Sequence, residues 1–256
     1  MGNVRLCRVK TADDPFYIEA VGVNITTYEE LCWYITRDPA LLDDHIFHED
    51  LVRFVAQELK LTALAQTMEK ALAEEDMAGF FLPILKEDGY LSQNEYQAFS
   101  RRFTALLSED KAVRAKKRAD ALVGAERLAG AIALYREILK EEGRYETVFT
   151  AAVCHNMGVA YARLFQYREA AAAFERAYDL ARTKAYLKAL LFALALSIPK
   201  EKYDERVKEL GVDRETQREV MEEVLKASSE VPEGEAEDRE AYLAELTGRY
   251  HRAADV

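Results

Sequence analysis

The chain has 256 residues, half of them hydrophobic, and a formal net charge of −11. That length allows one large helical domain or two smaller ones, and the acidic balance speaks against nucleic acid, whose phosphates would be repelled without a local basic stripe. Five prolines and 11 glycines are few, and the abundance of Ala, Leu, Glu, Lys and Arg favours helix.

In chain order, "MGNVRLCRVKTADDPFY" lacks the apolar run of a secretory signal. Leu6 stands where a myristoylation pattern needs Ser or Thr. Within residues 4–25, "VRLCRV" and "FYIEAVGVNI" are rich in β-branched and aromatic residues and flank the turn-like "TADDP", which predicts a β-hairpin on a helical body. Thr27 and Glu30 form the capping-box pattern that opens a helix through Leu31, Tyr34 and Ile35, and Pro39 stops it. "HEDLVRFVAQEL" carries acids in its first turn, where the helix dipole favours them. "ALAQTMEKALAEE" follows, and Ser92 with Glu95 repeats the capping pattern before "YQAFSRRFTALL". From Lys111 the pattern predicts helices over 111–123, 126–141, 146–164, 167–183, 185–197, 201–210 and 213–228. "SSEVPEGEAEDRE" is acidic and reads as a solvated linker before a short helix carrying Tyr242, Leu246 and Tyr250. The chain thus divides into a mostly helical module over 1–110, a helical region over 111–228 and a tail over 229–256.

Composition also bears on compartment. Cys7, Cys32 and Cys154 are odd in number and without a CxxC spacing, which implies reduced thiols. The most apolar run, "AYLKALLFALALSI", contains Lys188 and is too short to span a bilayer. The basic run "KAVRAKKRADALVGAER" is short and reads as one solvated helix face. The expectation is a cytoplasmic protein that binds neither membrane nor nucleic acid.

One stretch is sharper than the rest. Cys154, Met157, Gly158 and Tyr161 on one predicted helix, followed by Ala170, Phe174 and Ala177 on the next, alternate small and large residues so that two backbones approach closely. This stretch, 151–184, resembles a tetratricopeptide repeat, a helix–turn–helix of about 34 residues. Met157 and Cys154 stand where the family usually has leucine and tryptophan. Upstream, Ala131, Tyr135 and Ile138 repeat the second-helix spacing at an offset of 39 residues, with Ala115, Ala119 and Leu122 as weak first-helix counterparts; downstream the code is lost. The resemblance implies a mainly α fold of antiparallel helix pairs, and stacking on flanking pairs, because one such unit cannot bury its own apolar face. It also implies a partner-binding groove along the first helix, at His155, Val159, Ala162 and Arg163. Asn156 fits the asparagine of members that clamp a carboxylate tail, but His155 and Val159 depart from that pattern, so heat-shock chaperone tails are not implied.

Three stretches carry apparent chemistry. "LLDDHIFHED" places His45 and His48 three residues apart, as on a metal-binding helix face, among acids that a helix start also explains. "KEDGYLSQNEYQAF" resembles the back half of a calcium loop, with Asp88, Gly89, Leu91 and Glu95, but Ile84 and Lys86 fall where carboxylates are needed. Cys154 beside His155 suggests a thiol–imidazole pair, yet adjacent helical residues point about 100° apart. No phosphate-binding, dinucleotide, hydrolase or zinc-protease motif is found. The sequence therefore favours a non-enzymatic adaptor that holds a protein or peptide and needs no cofactor or metal. A ligand- or ion-responsive N-terminal module is the first alternative and an enzyme with a site near His45 and His48 the second. Self-association stays open, because terminal repeats need a polar outer face.

Overall fold

The computed structural model describes residues 11–87, 89–141, 143–229 and 239–254. These residues form 13 α-helices, adjacent ones packed on each other, and one two-stranded antiparallel hairpin. The chain divides into two compact parts, 1–121 and 122–256, and the division falls inside a single helix.

In the first part, β1 (Phe16–Ile18) pairs with β2 (Val23–Ile25), Tyr17 opposite Asn24. The reversal is at Glu19–Gly22, where Gly22 takes φ +63 and donates its N–H to the Ile18 carbonyl at 2.8 Å. This hairpin turns within "FYIEAVGVNI", where a glycine relieves the left-handed conformation that the reversal requires. The expected strand residues up to Lys10 lie outside the described residues. Ile18 and Ile25 are buried, and Phe16 packs on Phe54 at 5.6 Å.

Helix α1 (Tyr28–Arg37) begins as the capping box predicts: Glu30 donates its N–H to the Thr27 hydroxyl, and its carboxylate accepts from the Thr27 N–H at 3.1 Å. Hydrogen bonds from Thr26 hold the Glu30 carboxyl below the usual glutamate range. Its buried face carries Tyr28, Leu31, Cys32, Tyr34 and Ile35, and Tyr28 donates to the Ile84 carbonyl at 2.6 Å. Helices α2 (Glu49–Gln57), α3 (Thr62–Ala73) and α4 (Met77–Ile84) pack in succession, and α5 (Gln93–Leu107) lies against α4. Phe47, Phe80, Phe81 and Phe103 form a chain of edge-to-face rings, centroids 4.8 to 6.0 Å apart along the sequence of contacts. That aromatic chain is the centre of this core.

Helix α6 (Lys111–Gly124) crosses the division. The second part continues with α7 (Leu128–Lys140), α8 (Thr147–Arg163), α9 (Tyr167–Ala181), α10 (Lys184–Ser197), α11 (Lys200–Glu209), α12 (Arg214–Ser229) and α13 (Arg239–Ala254). The ends of α6 to α12 fall within two residues of the predicted ranges. Helix α8 packs between α7 and α9, and α9 between α8 and α10, while α10 carries α11 and α12. One buried cluster joins α7, α8, α9 and α10 through Leu128, Ile132, Ala160, Tyr161, Phe174 and Leu190. A second sits under Leu191, Tyr203, Val207 and Val220.

The turns of this part repeat. Between α6 and α7, Glu126 takes φ +61 and Arg127 donates its N–H to the Leu122 carbonyl at 2.9 Å. Between α8 and α9, 39 positions on, Phe165 takes φ +59 and Gln166 donates to the Tyr161 carbonyl at 3.0 Å. The packed adjacent pairs are compatible with helical repeats.

Candidate functional site

The groove residues expected from the sequence lie on α8. The helix is rich in alanine, and its C-terminal turn closes through the Leu164 N–H to the Ala160 carbonyl at 3.2 Å. Ala151, Cys154, Gly158 and Tyr161 are buried. A Cβ on Gly158 would stand 2.6 Å from Cε1 of Phe174 in α9, so only a residue without a side chain admits that ring. Ala170, Phe174 and Ala177 are the buried positions facing it on α9, and Met157 packs at the margin of the same cluster. On the other flank, Arg136 of α7 donates from Nη2 to the Tyr161 hydroxyl at 2.5 Å. The upstream positions are also interior: Ala119, Leu122, Ala131, Tyr135 and Ile138 are all buried.

His155, Val159, Ala162 and Arg163 share one side of α8, as residues three and four apart must. They do not stand equally free. The His155 ring lies 5.3 Å from Phe174 and 4.8 Å from Tyr186 of α10, half-buried between the two. Burial lowers its pKa below the ordinary histidine value, and Nδ1 is enclosed with no hydrogen-bond partner among the described residues. Val159 and Ala162 are half-buried against the larger cluster. Arg163 is exposed and reaches back: Nη1 donates to the Val123 carbonyl at 2.8 Å, and Nη2 lies 3.8 Å from Glu126. Val148, one helical face with them and 70% exposed, is an apolar member of this side that the sequence reading passed over. Its signal was there, seven residues before His155, two turns of the same helix.

The other stretches resolve locally. His48 is the N-cap of α2, its Nδ1 taking the Asp50 N–H at 3.3 Å. Asp43 accepts the N–H groups of His45 and Ile46 at 3.2 and 3.3 Å, and its carboxylate is paired with the Arg118 guanidinium. Burial, reinforced by the negative charge of Asp43, pushes the Tyr34 hydroxyl above the ordinary tyrosine range. A cleft of about 390 Å³ opens here, lined by Phe16, Ile18, Asp43, His45 and Arg118. Among the described residues no three His, Cys, Asp or Glu side chains are placed to hold one metal ion. Glu95 caps α5, accepting the Ser92 N–H at 2.8 Å, and the Asp88 expected beside it lies outside the described residues. Cys154 is a buried thiol in a packing position, as is Cys32, while Cys7 lies outside the described residues.

The chain matches no family model, no curated protein and no solved structure. The site therefore rests on geometry alone: a helix packed on both flanks that presents Val148 at one end of a face and Arg163 at the other. Among the described residues no helix is long and apolar enough to cross a membrane.

Proposed function

We propose that the helices from α6 onward act as a tetratricopeptide-like array that binds a protein or peptide along α8, making the chain a non-enzymatic adaptor in the cytoplasm. The observation that supports this reading is a recurring spacing: the buried triplet Ala131, Tyr135, Ile138 precedes its counterpart Ala170, Phe174, Ala177 by 39 positions, each triplet following a turn with one left-handed residue, Glu126 or Phe165. Repeat units of this kind stack and use the face of their first helices for binding. On α8 that face runs from the exposed Val148 past Val159 and Ala162 to Arg163.

The test uses variants at the two exposed ends, because His155 is too enclosed to accept a charge without disturbing the fold. The full chain and its Val148→Glu, Arg163→Glu variant are immobilised and exposed to cytosol, after circular dichroism has matched their helicity. A protein retained by wild type and lost by the variant supports the reading. Identical retention by both places the working surface elsewhere.

One observation favours a second reading, a ligand-responsive N-terminal part: the cleft floored by the Asp43–Arg118 pair beside His45. A ligand bound only by the folded chain raises its melting temperature. A small-molecule panel in which no compound stabilises wild type more than Arg118→Met sets this reading aside.

A further inference from the structure

Helix α13 is held by its last turn. Ala253 is buried in the cluster that contains Leu128, Ala160, Tyr161 and Leu164, with Ala254 at its margin. The Arg252 carbonyl accepts from Arg127 Nη1 at 3.0 Å, and Arg249 Nη2 lies 3.7 Å from Glu126 Oε1. That same oxygen is 3.8 Å from Arg163, the residue that ends the α8 face. The rest of α13 is bare by comparison: Tyr242, Leu243, Leu246 and Tyr250 are each 39% exposed or more. They stand three and four residues apart, on the side that Ala253 continues. Among the described residues, the contacts that hold this apolar-striped helix include Ala253, the Arg252 carbonyl and the carboxylate that Arg249 shares with Arg163.

We propose that α13 is an internal clasp: its final turn covers the Arg163 end of the α8 face and must leave before a partner helix or peptide can take that end. This rests on the reading of α8 as a binding face. The argument is one of shared groups and small contact. Arg163 and Arg249 reach the same oxygen of Glu126, so a partner that meets Arg163 with an acid of its own needs the place that the end of α13 occupies. The ion pairs are half-exposed and screened by salt, and Ala253 buries little area, so the clasp opens without unfolding the core. The partner that fits is an acidic amphipathic helix, whose carboxylate meets Arg163 and whose apolar side replaces Ala253.

The experiment keeps the full chain and compares wild type with Ala253→Glu and with Arg249→Glu. Hydrogen exchange over residues 123–130 reads the clasp itself. Exchange there is expected to rise at least tenfold in Ala253→Glu and less in Arg249→Glu, and unchanged exchange overturns the clasp. Occupancy is read with a fluorescein-labelled peptide of residues 239–254 added in trans. The Ala253→Glu chain, its own helix expelled, is expected to bind the peptide at least tenfold more tightly than wild type. Raised exchange without that gain overturns the reading of the α8 face as a helix site, which separates its failure from that of the clasp.

Discussion

Gly158 and Phe174 meet so closely that a Cβ on the glycine would stand 2.6 Å from the ring. Gly158→Ala gains about 1 kcal/mol of helix propensity, but displacing a ring that is 4% exposed overpacks the α8–α9 contact at a cost of about 1–3 kcal/mol. The net result is a loss of stability, larger for Gly158→Leu. Urea unfolding of the single variants and of Gly158→Ala, Phe174→Leu reads the coupling. The double variant should recover part of the loss, and strict additivity would show that the ring does not set the glycine.

The Arg136–Tyr161 hydrogen bond ties α7 to α8. Tyr161→Phe keeps the ring and removes the acceptor of a charged donor, so it should cost about 1 kcal/mol, the low end for such bonds at a half-exposed donor. Arg136→Met paired with it should add little, which a double-mutant cycle in urea checks.

Much of this was legible in the sequence because small/large spacing on two helices is a direct image of backbone approach. Gly158 with Phe174, and the capping boxes at Thr27 and Ser92, could be read off as local rules with tertiary outcomes. Helix α4 was not, since Gly79 and Pro83 within eight residues mask its period, yet Phe80 and Phe81 put it at the centre of the first core. The turn at Gly22 was not legible either, because a lone glycine in a β-rich stretch carries little signal and its φ is revealed only by the structure. The partners of His155 and Arg163, Phe174 and Tyr186 for one and Val123 and Glu126 for the other, come from distant segments that periodicity does not report.

Asp43 and Arg118 form a pair whose side chains are 9% and 23% exposed. Arg118→Met strands a carboxylate and should cost about 2 kcal/mol, below the usual range for fully buried pairs because the arginine keeps some solvent contact. Arg118→Met with Asp43→Ala should be the more stable chain, since no unpaired charge remains. Thermal melts at neutral pH decide, and a double variant less stable than Arg118→Met would show that the Asp43 turn matters more than its charge.

His155 gives the fold a pH dependence of definite sign. Burial between Phe174 and Tyr186 lowers its folded pKa, so the unfolded chain binds the proton more readily. Stability from this group is therefore complete above the unfolded value of about 6.5 and falls as the pH drops from there towards the lower, folded value. His155→Phe keeps an aromatic ring between the same neighbours and has nothing to protonate. The difference in unfolding free energy between wild type and His155→Phe, measured at pH 7.5 and at pH 5.5, should move in favour of the variant at the lower pH. Carboxylates elsewhere titrate alike in both chains and cancel in that difference. A difference that stays constant would mean that the His155 ring takes its proton in the folded chain as easily as in water, and that the enclosure between α9 and α10 is not maintained in solution.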